Sequence, residues 1–544
     1  MSTNLVVGSG PAAVGVALRL LAEPGQEVVL VDLGGTLEDG HRAAAQRMAA
    51  TGADGWDAGD LDLVRAQPVA HDGGRLPQKR SFGSDYPFRD LGQLAGVVAT
   101  GGANRSLVSS AVGGFSTVWG AQVMPFSRST FERWPVGWAD MEDNYRAVLR
   151  EVPLAAEHDD LAELFPLLGP AQPLPPLSER TRRVLGSAAR HRGALRRAGV
   201  TVGRARLALR PAACTSCGLC MTGCPYGLVY SAAQSVERMR ARGALTHRTG
   251  LLVRRVSQED GRAHVLAREL ATGRDVRLSA DRVFVACGGV GTTRVVLASM
   301  ARPPREVRMA ESVQFALPFL SRRAVGDPRR AELPGFTLNQ FNVLVDFGDE
   351  GYDTSQVHCY PYNPAVLAAL PAPLRHRLAA PATAHLLRRL TVGLGYLPSW
   401  ASPHVRLSVG ARTGDGLPGV TVSTGGPDGS AAYAAVLRRL VRAAPRLDLW
   451  PVAAAGSVSG AAKSYHFGGS FPHAAGTSAT TTDRLGRLPE WDRVHLVDGS
   501  VLPSVPSTTF TLTVMANAHR IADEVLRRPE VRAGGRSGDL AALP

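Results

Sequence analysis

Lysine is almost missing from this chain of 544 residues: only Lys79 and Lys463 occur, so the 61 basic residues are nearly all arginine. The arginines are dispersed over 180–210, 322–330 and 375–389 without aromatic interleaving, which excludes a nucleic-acid module. They read as a solvated basic face, with docking of an acidic electron carrier or an anionic substrate as the functional alternative. Long apolar runs are absent too, since no stretch reaches the roughly 18–20 consecutive apolar residues of a membrane span. Cysteine is scarce: there are six, four of them between Cys214 and Cys224, which is not a secreted disulfide framework. The first strand pattern starts at Asn4, so no signal peptide is expected and the expected location is cytoplasmic. Hydrophobic content of 44% and charged content of 20% describe a globular chain, too long for one ordinary core.

What is present begins at once. Asn4 to Val7 is an apolar strand that enters the turn Gly8-Ser9-Gly10, then a helical pattern with Val14, Leu18, Leu20 and Leu21, then a second apolar run from Val28 that ends on Asp32. This is the dinucleotide fingerprint in its full context. Gly8 permits the tight turn, and Gly10 lets backbone approach a pyrophosphate at the helix N-terminus, where unpaired N–H groups and the helix dipole favour negative charge. Ala13 is small enough for close helix–strand packing. Asp32 is placed to accept hydrogen bonds from an adenosine ribose. A glycine-rich stretch, Gly113-Gly114-Phe115-Ser116-Thr117-Val118-Trp119, can lie against a flat ring and offer it N–H groups, although a glycine loop packed under Trp119 fits the same residues.

The rest of the chain divides by pattern. Residues 36–70 read as a polar surface insertion, 79–85 as a loop and 166–176 as a proline-rich connector. Arg282 to Cys287 repeats strand, glycine turn and helix, as a late crossover of one parallel sheet does. From 305 to 455, strand-like runs at 341–347, 356–360, 404–409 and 420–424 predict a mainly antiparallel substrate domain. Between them, 365–397 reads as a broken helical hairpin acting as a lid, or as a membrane-surface patch. Residues 456–528 return to the first domain, with a strand at 495–498 and an amphipathic helix from Val514 to Arg527; 529–544 is expected to be disordered. The expected fold class is α/β, a Rossmann-like dinucleotide-binding domain over 1–304 with a cysteine loop at 211–228, and a second domain on an antiparallel sheet.

Cys214, Cys217, Cys220 and Cys224, followed by Pro225, have the spacing C-x2-C-x2-C-x3-C-P, the ligand run of bacterial ferredoxins. The spacing points to an iron–sulfur cluster. The fourth ligand is Cys224 itself, or Cys359 from a distance, or the cluster is of the three-iron type. Zinc and a metal-free packed loop are the other readings.

Further on, His466 precedes the turn Gly468-Gly469, and Asp498-Gly499-Ser500 leads through Pro503 and Pro506 to Thr509-Phe510-Thr511-Leu512-Thr513. With the fingerprint and the Gly-Gly-x-Ser-x-x-Trp loop, this order resembles the glucose-methanol-choline (GMC) family of FAD-dependent oxidoreductases over nearly the full chain. Within it the chain is similar to pyranose-oxidising members and to iron–sulfur-containing glycoside and alcohol dehydrogenases. The resemblance implies FAD held by Gly8, Gly10, Ala13, Asp32, Gly113, Gly114, Ser116, Thr117, Val118, Asp498 and Thr511. The FAD is expected to be non-covalent, because Val118 stands where relatives tether it through histidine. Asp498 would order backbone before the isoalloxazine. His466 matches the catalytic histidine, which takes the hydroxyl proton as the C–H hydride leaves for flavin. Relatives carry asparagine where Thr509 stands, so Thr509, His473 or Asn517 must supply the second hydrogen-bonding group, or the chemistry is altered. The implied partners are a small hydroxylated substrate and an electron-acceptor protein, with no nucleic acid and the membrane surface not favoured.

Overall fold

The computed structural model describes residues 1–66, 79–89, 97–99, 107–325, 336–348, 351, 353–361, 380–412 and 418–528. The expected disordered tail, 529–544, and most of the expected lid hairpin, 362–379, lie outside them.

The N-terminal apolar run forms the strand Ser2–Val7 at the centre of a five-stranded parallel sheet. Its order is Val494–Leu496, Arg282–Val285, Ser2–Val7, Gln26–Val31 and Thr246–Arg248, all pairs parallel. The inner strands Ser2–Val7 and Arg282–Val285 are buried on both faces and are near-continuous apolar runs, as parallel sheets require, whereas Thr246–Arg248 at the edge is polar. The helix Pro11–Leu21 packs against the last helix, Thr511–Arg527. A Cβ on Gly15 would lie 2.3 Å from the Met515 carbonyl oxygen, so glycine there sets how closely the helices approach.

The second large sheet is antiparallel, in the order Trp450–Pro451, Gln314–Leu320, Leu390–Tyr396, Thr354–Tyr360, Phe341–Asp346, Val200–Arg204. Side chains alternate across a sheet, and here the two faces differ in kind. Phe315, Leu317, Phe319, Val343, Val345, Val357 and Cys359 share a core with the helix Ser430–Leu447. Gln314, Tyr396 and Gln356 stand opposite one another in register on the other face, with His358 opposite Asn342 beside them.

Three expectations need amending. Residues 39–65 are not a featureless insertion but two helices, Asp39–Thr51 and Ala58–Arg65, that bury Ala44, Met48 and Val64 against Leu219. Three apolar contacts on a polar pair of helices leave too weak a period to read. The described end of the 365–397 segment is a short helix, Ala380–Leu387, and then a strand of the antiparallel sheet, Leu390–Tyr396, rather than the second arm of a helical hairpin. Strands at Glu306–Glu311, His404–Arg412 and Pro418–Gly425 form a separate sheet whose Val307, Met309, Val405, Leu407, Val420 and Val422 share one core with Val283, Val285 and Val296 of the parallel-sheet unit.

Candidate active site

The glycine turn is built for a ligand. Gly8 has φ of 110°, and a Cβ there would sit 2.3 Å from the Ala286 carbonyl oxygen. Gly10 opens the helix without a side-chain cap, leaving first-turn N–H groups unclaimed, and a Cβ on it would meet nothing within 4 Å. The second glycine loop faces it: the nearest atom to a Cβ on Gly114 would be Gly10 Cα at 3.8 Å. Ser9 Oγ ties the two together by accepting the Gly113 N–H at 3.1 Å. Ala13 is fully buried. Asp32 Oδ1 lies 3.1 Å from His247 Nε2, while Oδ2 is buried with no hydrogen-bond partner. An orphaned carboxylate oxygen at the end of the second strand, beside an open helix N-terminus, fits the ribose and pyrophosphate of FAD.

In the Gly113 loop, Ser116 Oγ donates to the Gly113 carbonyl at 2.5 Å and accepts the Ala232 N–H at 2.9 Å, and Thr117 Oγ1 donates to the Gly114 carbonyl at 2.8 Å. These hydroxyls shape the loop. Val118 is buried behind it. Asp498 accepts Thr292 Oγ1 at 2.5 Å and the Ser500 N–H at 2.9 Å, and burial pushes its pKa up. Thr511 is the first residue of the last helix.

His466 sits on a strained loop. Ala462 and Tyr465 have φ of 60° and 58°, sparsely populated values for residues with a Cβ. The loop is tied down by a residue with no sequence signal, Glu311, whose Oε2 accepts the Ala462 N–H at 2.8 Å and whose Oε1 accepts Ser464 Oγ at 2.9 Å. Ser464 Oγ in turn accepts the His466 N–H at 3.1 Å, and Ser312 N–H donates to the His466 carbonyl at 2.9 Å. The imidazole stacks on Tyr396 at 4.5 Å between centroids and meets Phe510 edge-on at 5.2 Å. Burial pushes its pKa down to about 4, and Nδ1 has no hydrogen-bond partner. A half-buried imidazole held neutral, with Nδ1 unpartnered, is a base waiting for a donor.

The candidates for a second catalytic group are elsewhere engaged. Thr509 Oγ1 donates to the Gln122 carbonyl at 3.0 Å. His473 Nε2 and Asn517 Nδ2 lie 3.2 Å apart, with Arg520 bonded to Asn517 Oδ1 at 2.7 Å, a cluster that braces the last helix. Sequence reasoning passed over the polar sheet face that does approach His466: Tyr396, whose hydroxyl accepts Gln314 Nε2 at 3.1 Å, and His358, which lies 5.1 Å from the Tyr396 ring. Strict alternation along 354–360 was the signal available, masked because the other face of that strand is equally buried.

Cys217 packs with Phe82 and Leu219 under the two helices of 39–65, and Cys214, Cys220 and Cys224 pack against the core that holds Trp119, Met221 and Tyr226, yet the four thiols are near enough that Cys214, Cys217 and Cys224 each feel the charge of Cys220. Cys359 is buried in the sheet core, and a cluster ligand from there is not formed. Among the described residues no three His, Cys, Asp or Glu side chains are grouped to hold a metal ion. Burial raises the pKa of Cys214 and Cys217, and that of Cys224 to about 11, and the neighbouring Cys220 raises each further. The loop is nonetheless close to the flavin-type loop. Lys79, pushed down to about 8 by burial, donates to the Trp119 carbonyl at 2.7 Å; Ser81 Oγ donates to the Thr117 carbonyl at 3.1 Å; and Phe82 N–H donates to the Thr222 carbonyl at 2.5 Å.

Comparison with known proteins gives one match to a family model: residues 84–309 are similar to GMC oxidoreductase. The solved structure of pyridoxine 4-oxidase from Mesorbium loti superposes with a TM-score of 0.58 over 97% of this chain and 100% of that chain, at 15% identity, so the fold is shared from end to end. A search of curated proteins finds no match. The chain accordingly shares the fold of that structure, a Rossmann-type parallel-sheet unit with antiparallel sheets, and carries over 84–309 a segment similar to GMC oxidoreductases. Among the described residues no helix is long and apolar enough to cross a membrane.

Proposed function

We propose that this chain is an FAD-dependent oxidoreductase of the GMC type that oxidises a hydroxyl group of a sugar, glycoside or hydroxylated natural product, and that His466 accepts the hydroxyl proton. The observation that carries this is the polar face of the antiparallel sheet. Gln314, Tyr396, Gln356, His358 and Asn342 present amide, phenol and imidazole groups, and Gln356 Oε1 and Asn342 Nδ2 are buried without partners. Unpartnered buried amides are costly unless a ligand satisfies them, at roughly 1–3 kcal/mol each. Several hydroxyl groups on one small molecule answer that need; a long alkyl chain would not.

FAD, held non-covalently by Gly8, Gly10, Gly113, Gly114 and Asp32, supplies the acceptor for the C–H hydride. The protein's own part is to hold the alcohol against the sheet face, exclude water with Phe510 and Tyr396, and take the proton on a neutral imidazole. The test is anaerobic mixing of the holoenzyme with D-glucose, methyl β-D-glucopyranoside, pyridoxine and octanol, following loss of the oxidised flavin absorbance. Bleaching by a sugar or glycoside that His466→Ala abolishes supports the reading. Bleaching by octanol alone, or by none of the four, refutes it.

A second reading concerns the electrons' exit. The spacing of Cys214, Cys217, Cys220 and Cys224 and their nearness to one another favour an iron–sulfur cluster and an electron-acceptor protein in the cytoplasm, while among the described residues no three ligands are grouped to hold a metal, so no step is drawn through them. Iron and acid-labile sulfide per FAD in anaerobically purified protein decide between the two. Iron in roughly the stoichiometry of a three- or four-iron centre favours the relay, and none leaves a packed thiol loop.

A further inference from the structure

We propose that His358 is the second substrate-contacting residue, donating a hydrogen bond from Nδ1–H to the oxygen whose proton His466 removes, in place of the group that Thr509 does not supply. The proposal rests on alcohol oxidation at His466.

The argument starts from one backbone N–H. Cys359 N–H donates to Asn339 Oδ1 at 3.0 Å, which fixes the orientation of that buried amide. Asn339 Nδ2 must then donate, to Asn342 Oδ1 at 2.7 Å and to Gln122 Oε1. With its oxygen taken as acceptor, Gln122 has only N–H bonds to offer on its other side. Gln122 Nε2 lies 3.1 Å from Asn342 Oδ1 and 3.0 Å from His358 Nε2. An amide nitrogen can only donate, so His358 Nε2 is the acceptor and its ring proton is on Nδ1. A neutral imidazole has one donor and one acceptor, and here the network dictates which is which.

Nδ1–H makes no hydrogen bond to any described residue. The ring is otherwise enclosed, 3% exposed, and packed 5.1 Å from Tyr396, the same ring on which His466 stacks. His358 is held neutral by burial, its pKa pushed down to about 3, and His466 adds to that by opposing a second positive charge nearby. The two histidines therefore divide the work. With FAD bound to take the hydride, the alcohol oxygen would give its proton to His466, and the negative charge that builds on that oxygen would meet the His358 donor. Donors preset toward developing oxyanions are worth about 10²–10³ in rate. Gln122 is the positioning residue for this donor: it is only three residues beyond Trp119, and its carbonyl receives Thr509, so the flavin-type loop, the Thr509 segment and His358 are aligned through one side chain and its backbone.

The experiment compares wild type with His358→Leu and His358→Asn as FAD-loaded enzymes, using whichever of D-glucose, methyl β-D-glucopyranoside, pyridoxine or octanol bleaches wild type fastest. Asparagine puts an N–H at the position of Nδ1. The expected result is a limiting rate of flavin reduction lowered about 10²-fold or more in His358→Leu and within about tenfold of wild type in His358→Asn. Calorimetry of the same alcohol with dithionite-reduced enzyme is expected to give dissociation constants within about threefold for all three, because the donor acts on charge that exists only during reaction. Equal rates in His358→Leu and wild type overturn the proposal, as does equal damage by both substitutions with binding lost in step. Failure of every alcohol to reduce wild type refutes alcohol oxidation itself, and the pairing falls with it.

Discussion

Replacing Glu311 by alanine should disable the enzyme from a position that never touches substrate. The loop before His466 carries two residues with a Cβ in left-handed conformation, Ala462 and Tyr465, which costs about 1–2 kcal/mol each. Against this, Glu311 accepts the Ala462 N–H and Ser464 Oγ at 2.8 and 2.9 Å, hydrogen bonds to a carboxylate worth about 1.5–3 kcal/mol apiece. The carboxylate thus outweighs the strain by a few kcal/mol at most, and without it the loop loses its reason to hold this shape. A shift of about 3 kcal/mol lowers the population of the aligned imidazole roughly 100-fold. The limiting rate of anaerobic flavin reduction in Glu311→Ala should fall by about that factor, with FAD content unchanged, since Asp32 and the glycine turns lie elsewhere. Glu311→Gln keeps one acceptor oxygen and should lose only about tenfold. Hydrogen exchange should quicken at 460–468 in the alanine variant and not in the parallel sheet. A rate within threefold of wild type in Glu311→Ala would refute the reasoning.

Asp32→Ala removes the orphaned Oδ2 proposed to hold the ribose, and a hydrogen bond to a charged group is worth about 1.5–3 kcal/mol, so FAD should bind the apoprotein about 10- to 100-fold more weakly by fluorescence titration. Acid precipitation should leave all the flavin in the supernatant, because Val118 offers no atom for a covalent link; yellow pellet would overturn this. Burial lowers the pKa of His358, His466, His473, His495 and His519, so their contribution to stability is complete above about pH 6.5 and is lost as pH falls towards their folded values of about 3 to 4. Each is worth about 2 kcal/mol at about pH 5. Glu311 and Asp498, with raised pKa, work in the opposite direction but are fewer. The melting temperature should therefore drop between about pH 7 and pH 5, and a constant or rising value in scanning calorimetry would contradict the assignment.

What could be read from the sequence shares one property: its physics is local. Gly8, Gly10 and Asp32 declare themselves because a turn, a helix N-terminus and a strand end lie within thirty-two residues of one another in the chain. His466 stands out for the glycine turn beside it. Glu311 and His358 carry no such mark, since the groups they serve are more than a hundred residues away and meet them only through sheet pairing. The cysteine run shows the converse. Its spacing is local, but the grouping of thiols around a metal is a property of the folded loop, and here Gly218, whose carbonyl accepts Thr337 Oγ1, and Gly223, against the Phe82 ring, anchor that loop without grouping three of them to hold a metal. Thr509 joins the two cases. Read along the chain, it is a shortened substitute for asparagine; in the fold its hydroxyl is turned to the Gln122 carbonyl, and the same Gln122 side chain sets the proton of His358. The loss of a donor at one position and the appearance of one across the site are thus linked through a single residue, a coupling that no linear motif records.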